Sequence, residues 1–221
     1  RNLEDTYTLD MSATMQLGKL FPEKAHVNMP LTVTHSRETE KPKYDPTNTD
    51  VLLSNALDDA NDVMRDSLEK ISVLRNEQTS FALTNVRVGI TSKNPMPYDP
   101  ANFSFSLAFT KRKEQDIDVQ YDMTRTYRGN FNYSYSLSPK PLTPFKKVKF
   151  MKGKRWNIFT DMGFYPMPNS YVFSVDMDRR YNEVLTRNLT SDPTTVSKTD
   201  IMQNLTWDKN FNLNRRADIK W

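Results

Sequence analysis

Apolar and polar side chains take turns along most of this chain. Tyr7, Leu9, Met11, Ala13 and Met15 alternate with Thr8, Asp10, Ser12 and Thr14, and Val27, Met29, Leu31 and Val33 with Asn28, Thr32 and Thr34. The pattern returns at 103–109, 117–123, 131–137, 171–177 and 205–213. Successive side chains of an extended strand point to opposite faces, so each segment has one apolar and one polar face. These segments, with weaker ones near Phe81–Ile90 and Trp156–Phe164, predict about nine strands. Buried parallel strands would be apolar on both faces, so the sheet is expected to be antiparallel.

The polar rows narrow the class. They carry Asp, Asn, Gln and Ser with few breaks, while the apolar rows are rich in Phe, Tyr, Met and Leu. Hydrophobic residues make up 37% of the 221, below the usual globular share of about 45–50%. Aromatics nonetheless reach 11%, which argues against disorder. One face towards lipid and one towards water would produce this pattern. The expected fold is all-β: the wall of an antiparallel transmembrane β-barrel, of about nine or more strands. A soluble β-sandwich, whose strands also alternate, is the alternative. No apolar run reaches the roughly 18 residues of a membrane-crossing helix, a requirement that strands escape. The start at Arg1-Asn2-Leu3 already resembles a strand, and the chain reads as a segment of something longer.

One stretch departs from period two. Between 50 and 75, Leu53, Leu57, Ala60, Met64, Leu68 and Ile71 recur every three or four residues, which predicts an amphipathic helical insertion. Thr49 or Asp50 is the expected cap. Such an insertion either packs against the sheet or serves as a docking or obstructing element. Strand breaks are expected at the two Tyr-Asp-Pro-x-Asn strings, 44–48 and 98–102, at Pro139, Pro141 and Pro144, and at Pro166 and Pro168.

Little in the sequence points to chemistry. There are no cysteines, which excludes disulfides and thiolate sites. His26 and His35 are the only histidines, and neither stands in a nucleophile–base pattern. Asp116, Asp118 and Asp122 share a parity with Gln120 and read as a hydrated acidic stripe, since the glycine of a calcium loop is missing. A basic run from Lys146 to Arg155 reads as a solvated loop; no ribonucleoprotein motif accompanies it, and the net charge is only +4. No catalytic residue, metal ligand, cofactor or nucleic-acid partner is expected, and no enzyme.

Several strings have a familiar order. They are Tyr98-Asp99-Pro100-Ala101-Asn102-Phe103-Ser104-Phe105-Ser106, then Tyr121-Asp122 followed by Tyr127-Arg128-Gly129-Asn130-Phe131-Asn132-Tyr133. Pro144-Phe145-Lys146, Pro168-Asn169-Ser170, Asp178-Arg179-Arg180-Tyr181-Asn182-Glu183 and Asp208-Lys209-Asn210-Phe211-Asn212-Leu213-Asn214-Arg215 follow. Across roughly 27–221 this series resembles the SprA/Sov family, the outer-membrane translocon of the Bacteroidetes type IX secretion system. The resemblance implies that 1–221 is part of one very large barrel that exports folded cargo, in some relatives linked to gliding motility. It implies as partners a PorV-like shuttle protein, a periplasmic plug protein, accessory subunits, outer-membrane lipid, and cargo with a C-terminal secretion signal domain. It offers no catalytic residues. The alternative is a β-sandwich binding or adhesin domain of a cell-surface protein. On the barrel reading, Asp116, Asp118, Gln120, Asn132, Ser134, Asp176 and Asp178 face the lumen. Phe103, Phe105, Val119, Tyr121, Tyr133, Tyr135 and Phe173 face lipid or a partner.

Overall fold

The computed structural model describes residues 4–46, 48–90, 96–137, 142, 163–187 and 204–221. In chain order the elements are β1 (Glu4–Gln16), β2 (Val27–Asn28), β3 (Pro30–Pro42), β4 (Tyr44–Asp45), β5 (Asn48–Leu52), α1 (Leu53–Asp59) and α2 (Asp62–Ser72). Then come β6 (Leu74–Val88), β7 (Phe103–Gln115), β8 (Val119–Ser136), β9 (Ser170–Thr186) and β10 (Leu205–Lys220). The long strands line up as β1-β3-β6-β7-β8-β9-β10, with β2 paired to β6, and β4 and β5 form a separate small ladder. Every pairing is antiparallel. The expected all-β, antiparallel class is therefore correct. Each long strand pairs with the next long strand, as a meander, and β1 and β10 end the order without pairing to each other.

Two segments that alternation separates, 117–123 and 131–137, belong largely to one strand, β8, of 18 residues. The join is hidden because Arg125 and Gly129 occupy positions of apolar parity. Gly129 leaves a gap there that its neighbours fill. A Cβ at this position would stand 3.4 Å from Met177 Cε and 3.7 Å from Leu107 Cδ2. The weak pattern near Phe81–Ile90 also has a local cause. A register shift between Leu83 and Val86 reverses the parity of β6, so Val86 and Val88 rejoin the side that carries Phe81 and Leu83. Asn85, at φ 49°, sits in that bulge, and its backbone N–H donates to Ser106 Oγ at 2.9 Å. The weak segment at Trp156–Phe164 and the basic run at Lys146–Arg155 fall outside the described residues, apart from Gly163 and Phe164.

The helical insertion is shorter than 50–75 and broken at Ala60–Asn61. Thr49 and Asp50 lie in β5 and cap nothing. The side-chain cap is Asn61, which accepts from the Met64 backbone N–H at 2.9 Å and starts α2. Leu53, Leu57 and the adjoining Val73 are buried, whereas Met64 is exposed. The other buried apolar side chains among the described residues are Val86, Tyr135 and Leu185. Apart from the 96–102 turn, whose Pro97 carbonyl accepts from Tyr133 OH at 3.0 Å, no described segment lies over the broad apolar side of the sheet, which leaves Met11 55%, Leu107 49% and Phe211 58% exposed.

The turn between β1 and β3 depends on a close approach. Leu17 N–H donates to Met29 O at 2.9 Å, and a Cβ on Gly18 would lie 2.0 Å from Val27 O. Gly18→Ala is therefore expected to push the 17–29 loop away from the β1 end, at a cost of about 1–3 kcal/mol. Limited proteolysis checks this, with faster cleavage between 18 and 26 in the variant.

Candidate functional site: the two faces of the sheet

Residues directly opposite in an antiparallel ladder share a face, so the register sorts the side chains without reference to polarity. One face carries Asp10, Ser36, Gln78, Arg112, Thr124, Asn182 and Asp208, joined strand to strand by the pairings. Its side chains bond to one another across the strands. Ser36 Oγ donates to Asp10 at 2.5 Å, Asn130 Nδ2 to Asp176 at 2.6 Å and Arg128 Nε to Asp178 at 3.0 Å. Asn132 is opposite Ser174, and Ser134 opposite Val172. Thus Asn132, Ser134, Asp176 and Asp178 share one polar side.

The other acidic positions lie elsewhere. Asp116 and Asp118 belong to the turn between β7 and β8, not to a strand face. Asp116 Oδ1 accepts from Ile117 N–H at 2.5 Å, and Asp118 O accepts from Arg187 N–H at 2.8 Å. A bulge between Val119 and Tyr121 holds Gln120. It sets Val119 opposite Thr186 and Tyr121 opposite Leu185. Val119 accordingly borders a hollow with Glu114 and Asp122 on the polar side. Parity from the sequence groups Val119 with Tyr121; the extra residue separates them.

Phe103, Phe105, Tyr121, Tyr133, Tyr135 and Phe173 do share the opposite side. Aromatic rings run across it: Phe103 to Tyr133 at 5.0 Å, Phe109 to Tyr127 at 4.9 Å and Phe81 to Phe109 at 6.4 Å. This side is not uniform along the strands. From the row Ala13–Val33–Phe81–Phe109–Tyr127 to the row Tyr135–Tyr171–Ile219 it is mostly apolar. Arg179, between Tyr127 and Phe211 in the first of these rows, and Arg215, opposite Val175 on the outermost strand, are exceptions. Towards the β7–β8 turn the next row runs from Met11 on β1 through His35, Thr79, Lys111, Arg125, Tyr181 and Lys209. His35 Nδ1 meets Thr79 Oγ1 at 2.9 Å, a structural contact. One row further, Arg37 and Glu77 pair at 3.3 Å. Here Glu183 accepts from Tyr121 OH at 2.6 Å and from Tyr181 OH at 3.0 Å. Sequence reasoning missed this charged and aromatic border. Its signal was Arg125, Arg179 and Lys209 standing at apolar parity.

Among the described residues no group of three or more His, Asp or Glu side chains is arranged to hold a metal, and no helix is long and apolar enough to cross a membrane. Residues 1–57 match the family model SprA_N, described as a motility related/secretion protein. That stretch, about a quarter of the chain, is thus similar to the SprA family, whose description points to motility or secretion. It covers β1 to β5 and the start of α1, including residues 1–26, where the motif strings were silent. No curated protein matches the chain.

The helical insertion is fastened to the sheet end that carries the β7–β8 turn. The Lys70 carbonyl, near the C-terminus of α2, accepts from Arg187 Nη2 at 2.9 Å and from Gln115 Nε2 at 2.5 Å. Burial lowers the Arg187 pKa and Asp116 raises it again. The guanidinium stays charged, which suits the negative end of a helix dipole. Arg187→Gln is expected to loosen α2 by about 1 kcal/mol while the strands stay paired. Hydrogen exchange tests this, with faster exchange expected at Leu68–Ser72 and no change in β8.

Proposed function

We propose that this chain is a stretch of the wall of a large outer-membrane β-barrel that conducts folded proteins out of the cell, with 1–221 forming one part of that barrel. The observation that carries the proposal is a single sheet layer whose apolar side is exposed on six of the seven long strands and half-buried on β3, opposite a side of Asp, Asn, Ser and Thr. A soluble sandwich would cover Met11, Leu107 and Phe211 with a second sheet, since monomers rarely expose contiguous apolar patches beyond a few hundred Å². Lipid covers such a side without a second layer.

The dimensions agree. From the Tyr127 row to the Tyr135 row is four steps of two residues, about 27 Å along strands that rise roughly 3.4 Å per residue. At a barrel tilt of roughly 35–45° this is about 20 Å of height, close to the apolar band of roughly 25 Å that outer-membrane barrels present. Within lipid every backbone group needs a partner, so the outer edges of β1 and β10 pair with further strands of a closed wall. A wide lumen of water then solvates Asn132, Ser134, Asp176 and Asp178 and lets hydrated cargo slide past a surface that offers it no apolar grip.

In this proposal the chain is a conduit and not a catalyst, with transport driven from elsewhere. The resemblance to the SprA/Sov family supplies the remaining proposed parts: type IX secretion, a PorV-like shuttle protein, a periplasmic plug protein, accessory subunits and cargo with a C-terminal signal domain. The α1–α2 insertion, held at one end of the wall, stands where it can meet such a subunit.

Single cysteines at 131, 132, 133 and 134 of the full-length protein test the two-solvent assignment. A water-soluble maleimide is expected to label 132 and 134 and to spare 131 and 133. Equal labelling of all four would sink the proposal. Tyr133→Arg is expected to cost about 2–4 kcal/mol in lipid, and Asn132→Ser to be close to neutral. Urea unfolding from vesicles measures both.

A further inference from the structure

Just where the apolar band ends, three cations converge. Arg125, Arg179 and Lys209 border a hollow of about 500 Å³ across β8, β9 and β10, lined also by Tyr127, Met177 and Phe211. That volume lies in the range of small-molecule sites, roughly 300–1,000 Å³. Among the described residues none of the three cations forms an ion pair. Arg125 and Lys209 stand over the Tyr181 ring, at 5.9 Å and 5.6 Å. Lys209 is also 4.8 Å from the Trp207 ring. The carboxylate nearby, Glu183, accepts from the hydroxyls of Tyr121 and Tyr181 and offsets one of the three positive charges. The hollow therefore has an excess of positive charge, an apolar lining on the side of Met177 and Phe211, and aromatic rings against which Arg125 and Lys209 rest.

We propose that this hollow holds the phosphate of an anionic membrane lipid, with an acyl chain running over Met177 and Phe211 into the apolar band. The inference rests on the membrane-wall reading and adds the lipid class that the wall selects. Charge complementarity specifies the anion. The lining specifies an amphiphile, because a free phosphate gains nothing from Met177 and Phe211. Position agrees as well: the cations lie one row either side of the band's edge, where headgroups meet acyl chains. Basic side chains at that depth attract anionic headgroups.

A site-specific photo-crosslink tests the proposal. Benzoylphenylalanine replaces Leu213, opposite Met177 at the border of the hollow, in the full-length protein reconstituted in vesicles of equal parts phosphatidylglycerol and phosphatidylcholine. A control probe replaces Phe105, in the middle of the band. Mass spectrometry then identifies the attached lipid. At 213 the phosphatidylglycerol adduct is expected to exceed the phosphatidylcholine adduct on the order of tenfold. At 105 the two are expected to be about equal. Arg125→Gln, Arg179→Gln and Lys209→Gln together are expected to abolish the preference at 213. Lys209→Gln alone, should the triple variant fail to assemble, is expected to weaken it several-fold, whereas Lys111→Gln leaves it intact.

Lipid attachment at 105 with no headgroup preference at 213 overturns the proposal and leaves the membrane wall standing. No lipid adduct at either position overturns both. Loss of the preference in excess inorganic phosphate identifies a free-anion site and overturns the lipid assignment.

Discussion

Backbone hydrogen bonding between neighbouring strands is the interaction on which the rest depends. Thirteen to eighteen residues per long strand are committed to partners in register, and the ladders alone place each side chain on one of two faces. The buried apolar core is correspondingly small. Leu53, Leu57 and Val73 serve the helical insertion, while Val86, Tyr135 and Leu185 lie near strand ends or bulges. A layer with so little interior cannot draw its hydrophobic stabilisation from within. It has to come from whatever covers the apolar side, and lipid does so over an indefinite breadth without requiring a complementary shape.

Much of this was legible in the sequence because period two survives wherever the ladder is regular. At 7–16, 103–109, 171–177 and 205–213 parity and register agree. The polar grouping of Asn132, Ser134, Asp176 and Asp178 is of the same kind. Where they disagree, the cause is an inserted residue. The bulges at Leu83/Val86 and Val119/Tyr121 each invert the parity beyond them. Period counting cannot locate such a bulge, because the extra residue is defined only by the partner strand. Asp116 and Asp118 were misplaced for a related reason. Alternation continued through a tight turn, whose bonds come from Val119 and Arg187.

The missed border of Arg125, Arg179 and Lys209 has a different explanation. A charged side chain at apolar parity looks like a broken strand, and that is how 117–137 came to be divided. Strand continuity and face polarity are separate properties. The first is set by the backbone ladder; the second changes along the strand when the medium changes. A strand that leaves an apolar medium for a polar one should carry apolar residues over part of its length and charged or aromatic ones over the rest, on the same face. On the proposed membrane-wall reading, the row from His35 to Lys209 is that change of medium, written across six strands.

Arg215 tests the consistency of this picture, since it stands opposite Val175 within the apolar band. A guanidinium held deep in hydrocarbon is costly, and long basic side chains escape by extending towards a polar border. Arg215 lies on β10, the outermost strand of the sheet, where the next strand of the wall would lie alongside. A carboxylate or carbonyl group on that neighbour would neutralise or bond the guanidinium at much lower cost than lipid allows. In the proposed wall, the one charge among the described residues in the middle of the band falls on the strand that closure would supply with a partner.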